Sequence, residues 1–155
     1  MLYKRIMGLD VGDKRIGIAL SDPMRITAQG LETYNRAFEN DEADAEYIAG
    51  LCKRHDVEKI VCGLPRNMNG TIGPQAEKVK AFAELLMTKC DGTELVYSDE
   101  RLTTVAADRA MMEAGIRREH RKDYVDQIAA SLILQGYLDL KGRQKQNGES
   151  NLSEK

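Results

Sequence analysis

The two apolar segments that open the chain, residues 2–11 and 15–21, are separated only by Gly12-Asp13-Lys14. A three-residue gap between strand-like runs is the length of a tight turn, so the segments predict an antiparallel hairpin. A weaker extended stretch from Ile26 to Tyr34 is expected to add a third strand. The acidic residues Glu39, Asp41 and Glu42 then lead into Ala45, Ile48, Ala49 and Cys52 at helical spacing.

Lys59 to Pro65 is a short apolar run ended by proline, the pattern of a buried parallel strand that enters a loop, here Arg66 to Gly73. Ala76, Val79, Phe82, Ala83 and Leu86 form the next helical stripe, Gly92 breaks it, and Glu94 to Glu100 reads as a fifth strand. Thr103 or Thr104 would cap a helix through Ala114 that Gly115 stops, and a basic loop follows. A last helix is expected to begin after Asp123 and to present Val125, Ile128, Ala129, Leu132, Ile133 and Gly136 to the core. Three antiparallel strands followed by αβαβαα predict an α/β fold, a mixed five-stranded sheet covered by helices. Strand one is then central and parallel to the two later strands.

At 155 residues the chain fits one domain, taken as residues 1–140, with a polar tail over 141–155 whose composition predicts disorder. No apolar run approaches the roughly 20 residues of a membrane helix, and the N-terminus lacks a signal-peptide core, which predicts a cytoplasmic protein with no membrane partner. Cys52, Cys62 and Cys90 are odd in number and far apart, so they read as reduced, partly buried thiols. A net charge of -2 excludes a uniformly basic coat for nucleic acid and confines polyanion binding to local patches such as Arg117, Arg118, Arg121 and Lys122.

Three acids carry the chemistry. Asp10 ends strand one, where an open α/β sheet binds its ligand, and shares a strand face with Ile6 and Gly8. The fifth strand ends in Asp99-Glu100, between which strand parity alone does not choose. Asp126 has the small residues Ala129 and Ala130 one turn away, which permits close approach to the sheet. Each has a local explanation: Asp10 as a turn residue, Asp99 or Glu100 as an acid before a helix, and Asp126 as the third residue of its helix. Together they converge only in the inferred fold.

The segments around Asp10, Gly63-Leu64-Pro65 with Asn67 to Thr71, Asp99 to Thr104, and Val125-Asp126 with Ala129-Ala130 resemble the YqgF/RuvX family of the RNase H-like superfamily. The resemblance spans Tyr3 to Leu138. It implies an RNase H-like nuclease, a hydrolase of phosphodiester bonds, that trims the 5′ end of precursor 16S ribosomal RNA and meets ribosomal precursor particles. A related description is that of a Holliday-junction-resolvase-like protein acting on branched DNA. Asp10, Glu100 and Asp126 match the family's acidic positions. The wider resolvase pattern instead has its second acid at the end of strand four, where this chain has Gly63-Leu64-Pro65.

Such acids suit Mg²⁺ or Mn²⁺, since hard cations prefer oxygen ligands and two ions roughly 3.5–4 Å apart can activate water and neutralise the phosphate. His55 reads as a helix-end residue, while His120 lies within the basic loop. Arg15, Arg101 and the Arg117–Lys122 cluster are candidates for phosphate contacts, as is the loop with Asn69. Asp10-Val11-Gly12 also resembles the phosphate loop of actin-like ATPases and sugar kinases, but those need two domains. A third reading is a non-catalytic RNA-binding module. Trimming an RNA end needs one site in a monomer, and paired junction cuts need a homodimer.

Overall fold

The computed structural model describes residues 4–65, 69–99 and 121–153. Five strands and three helices follow in the order β1 (Arg5–Val11), β2 (Arg15–Ser21), β3 (Ala28–Asn35), α1 (Asp41–Arg54), β4 (Val57–Leu64), α2 (Pro74–Met87), β5 (Glu94–Asp99) and α3 (Arg121–Ser153). The expected helix between Thr103 and Ala114 lies outside the described residues. The sheet runs β3-β2-β1-β4-β5, with β1 central. β1, β2 and β3 pair antiparallel, and β4 and β5 join parallel to β1, as the alternation of elements predicted.

Each face of the sheet is covered because both faces of its central strands are apolar. Met7, Leu9, Ile16, Ile18, Ile60, Cys62 and Leu64 pack against Ile48 and Leu51 of α1 and Val79, Phe82 and Leu86 of α2. On the opposite face Ile6, Ala19 and Val61 meet Ala130, Ile133, Leu134, Tyr137 and Leu138 of α3. Full burial of each large side chain contributes about 1.5–3 kcal/mol, so losing either layer would leave the sheet unsupported. Among the described residues no helix is long and apolar enough to cross a membrane.

α3 differs from the sequence reading in where it starts and in which face it buries. The helix is already formed at Arg121, which makes Asp126 more than a turn into it rather than its third residue. Its buried stripe is also rotated, since Gly136 is exposed and Leu132 half-buried, while Leu134, Tyr137 and Leu138 are buried. The rotation follows from β1: a β-carbon on Gly8 would stand 2.7 Å from the carbonyl oxygen of Ala130 and 2.8 Å from Cβ of Leu134, so the helix settles on these residues. The helical backbone continues to Ser153 through the segment whose composition suggested a disordered tail. No proline interrupts residues 139–153, and Leu, Lys, Arg and Gln there favour the helix, against Gly142 and Gly148, which disfavour it.

Candidate active site

Asp10 stands near the C-terminal end of β1, where strand alternation puts it on the α3 face with Ile6 and Gly8. Its partner on β2 is Gly17. The register that pairs Leu9 with Cys62 sets Gly63 beside it on β4, and Gly63 pairs in turn with Ser98 of β5. The acid is thus flanked on both neighbouring strands by residues without side chains, and at Gly17 the space is taken by the backbone of α3.

α3 brings the second acid to this end of the sheet. A β-carbon on Gly17 would overlap the carbonyl oxygen of Asp126, so helix and strand touch backbone to backbone directly across from Asp10. Arg15, two residues before Gly17 and on the same face, donates from Nε to Oδ2 of Asp126 at 3.1 Å. Their side chains are 35% and 19% exposed, so the pair is only partly screened by water. Sequence reasoning offered Arg15 as a phosphate ligand. The structure shows it holding Asp126.

The turn that follows Asp10 is fixed by a network that the sequence reading missed. Asp44 of α1 is fully buried and accepts hydrogen bonds from Nε of Arg36 (2.9 Å), the hydroxyl of Tyr34 (3.0 Å) and the amide of Ala37 (2.9 Å). Arg36 in turn donates to the carbonyl of Gly12 and to Asp41, each at 2.8 Å, and its guanidinium lies over the ring of Phe82. Burial, and then the hydrogen bond to Asp44, push the Tyr34 hydroxyl above its ordinary range and keep it a donor. The signal was present: Asp44 falls at i−4 from Ile48 and i−8 from Cys52, an acid on an apolar stripe.

Asp99 lies on the other side of the sheet. It pairs with Leu64 and shares a face with Leu95 and Tyr97, which pack toward α1 and α2. Asn69 is exposed, and its Oδ1 accepts from the amide and hydroxyl of Thr71 at 3.1 and 2.6 Å, a local turn. His55 caps the C-terminus of α1, as expected. Arg121 and Lys122 begin the described part of α3, whereas Glu100, Arg101, Arg117, Arg118 and His120 lie outside the described residues. The structure therefore brings together Asp10, Arg15 and Asp126. Among the described residues no three His, Cys, Asp or Glu side chains form a metal-holding group. Two carboxylates on one face nonetheless supply the hard oxygen donors that Mg²⁺ or Mn²⁺ prefers.

A family profile described as "RuvX: Holliday junction resolvase" matches residues 4–140. The chain belongs to the RuvX family. Similar curated relatives include proteins named "Putative pre-16S rRNA nuclease" from Clostridioides difficile, 52% identical over 91% of this chain and 98% of that protein, and from Clostridium acetobutylicum, 53% identical over 87% and 98%. Among solved structures, the fold resembles T. thermophilus RuvC in complex with a Holliday junction substrate, with a TM-score of 0.60 at 16% identity, covering 90% of this chain and 97% of that one. The fowlpox virus Holliday junction resolvase gives a TM-score of 0.52 at 15% identity over 87% and 98%. At these identities the likeness is one of fold. It agrees with the RNase H-like sheet expected of this RuvX chain.

Proposed function

We propose that the chain is a metal-dependent nuclease, a hydrolase of phosphodiester bonds that processes the 5′ end of pre-16S rRNA in the cytoplasm during ribosome biogenesis. The carrying observation is that Asp10 and Asp126 reach the same end and face of the sheet, where Gly17, the strand partner of Asp10, lets the backbone of Asp126 settle against β2. The third acid is assigned to Glu100 rather than Asp99, because Asp99 belongs to the face away from Asp10 and Asp126. The rRNA substrate is supported by the names of relatives that share half of their residues with this chain.

Asp10, Glu100 and Asp126 would hold Mg²⁺ or Mn²⁺, taken as two ions, which when bound supply an activated water and neutralise charge on the attacked phosphate. Arg15 orients the Asp126 carboxylate and lowers the cost of its partial burial. Arg101, Arg117, Arg118, Arg121 and Lys122, with Asn69, are assigned to the sugar–phosphate backbone, contacts that fix register without reading bases. One such site is enough to trim an RNA end, so a monomer suffices, and the natural substrate is the rRNA within a ribosomal precursor particle.

The family description favours a second reading, a resolvase of branched DNA that acts as a homodimer. Incubating the pure protein in Mg²⁺ or Mn²⁺ with a precursor 16S 5′ fragment and, in parallel, a four-way DNA junction separates the two. Cleavage confined to the RNA is expected. Symmetric paired nicks in the junction with intact RNA would replace the first reading by the second.

A further inference from the structure

Across the β1–β2 turn from Asp10 lies a cavity of about 460 Å³, within the size range that encloses small ligands. Val11, the residue after Asp10, lines it, together with Lys14, Phe38, Glu39, Gln75 and Lys78. Phe38 is 91% exposed. Its loop is not loosely held: Ala37 on one side donates its amide to buried Asp44, and Asn40 on the other accepts from the amide of Ala43 to cap α1. Between them Glu39 has a φ of 49°, a left-handed turn that the anchored ends impose. The chain thus maintains a fixed loop that presents an aromatic ring to water.

We infer that this cavity is a subsite for one unpaired nucleobase of the bound strand, stacked on Phe38. The inference rests on the nuclease reading and deepens it, since it makes the substrate single-stranded next to the cleaved bond. The cavity opens at the same end of the sheet as the acids but on its α1/α2 face, with Val11 and Val79, so a strand held at the acids reaches it by passing around the β1–β2 turn. The chemistry fits as well. An exposed ring beside an open cavity of mixed polarity is an arrangement on which bases stack without regard to sequence. Asp13, Glu39 and Asp41 line the cavity and offset Lys14, Arg36 and Lys78, which suits a neutral base that donates N–H groups better than a phosphate. Asp13, Lys14, Glu39, Asp41 and Lys78 interrupt the apolar lining of Val11, Val79 and Ala81, so the cavity is not a continuous apolar patch of the kind that docks a protein.

The chain contains no tryptophan, so Phe38→Trp places a single reporter at the site. The test uses an Asp10→Asn background with Mg²⁺, which keeps the strand intact, and titrates single-stranded RNA and a blunt duplex of the same sequence. Saturable quenching by the single strand and none by the duplex is expected. In parallel, Phe38→Ala should weaken single-strand binding, followed by anisotropy of a labelled RNA, roughly 5- to 100-fold and leave duplex binding unchanged. Unaltered single-strand affinity in Phe38→Ala, or equal quenching by both nucleic acids, overturns the subsite while the nuclease reading stands. A parent protein that binds neither nucleic acid overturns both.

Discussion

Gly17 and Asp126 touch through their backbones, and a β-carbon on Gly17 would occupy the place of the Asp126 carbonyl oxygen. Since Gly17 is also the strand partner of Asp10, this contact fixes the spacing between the two acids. Gly17→Ala is therefore expected to push α3 off the sheet. Overpacking of this kind costs about 3 kcal/mol, which urea unfolding would read, and cleavage should fall further than the loss of folded protein explains. An alanine variant with parental stability and rate would show that the contact is not needed.

The Arg15–Asp126 pair changes what neutralising Asp126 should do. Repulsion among metal-free acids would make Asp126→Asn more stable, but the ion pair it removes contributes about 0.5 kcal/mol at this exposure. The two terms oppose, so thermal unfolding without metal should move by no more than a few degrees while cleavage collapses. Arg15→Ala, which removes a positioning contact, should lower activity roughly 10- to 100-fold and raise the Mn²⁺ concentration needed for half-maximal rate. A change in rate with no change in Mn²⁺ dependence would instead assign Arg15 to the substrate.

Asp44→Ala leaves Arg36, whose side chain is 13% exposed, without its buried partner. Breaking such a pair costs about 3–5 kcal/mol, measurable by denaturant unfolding. The same change frees the Ala37 amide and loosens the Arg36 guanidinium that holds the Gly12 carbonyl, so any folded variant should also lose order in the β1–β2 turn.

The three thiols should react in a fixed order. The hydrogen bond shared with Cys90, and then burial, raise the Cys52 thiol far above its ordinary range, whereas the same bond holds Cys90 below the usual value of 9.0. Cys62 is buried. Iodoacetamide should therefore label Cys90 first in the native protein, with a rate that climbs below pH 9 because the thiolate forms early. Peptide mapping that finds Cys52 or Cys62 labelled first would contradict this packing.

The sheet was legible because its signals are local: a three-residue turn between apolar runs fixes β1–β2, and a proline-ended apolar run fixes β4. Asp10 was legible for the same reason, since its face follows from strand parity. The role of Arg15 was not, because its partner is 111 residues away and the pairing exists only once α3 lies on Gly17. The rotation of α3 was hidden likewise: Gly136 and Leu132 fit an apolar stripe as well as Tyr137 and Leu138, and only the glycine on β1 decides between them. The face of Asp99 was not legible either, since it follows from the packing of Leu95 and Tyr97 toward α1 and α2, contacts that no single strand contains.

The central claim is that Asp10 and its companions cut a phosphodiester bond, and single-turnover cleavage of an end-labelled precursor 16S 5′ fragment tests it most directly. The parent, with Mg²⁺ or Mn²⁺, should release a defined product and should stop when EDTA is added. Asp10→Asn should bind the same RNA and leave it whole. Cleavage by Asp10→Asn at the parental rate, or RNA binding without cleavage by the parent in either metal, would contradict the account, and the latter would leave an RNA-binding module on a nuclease fold.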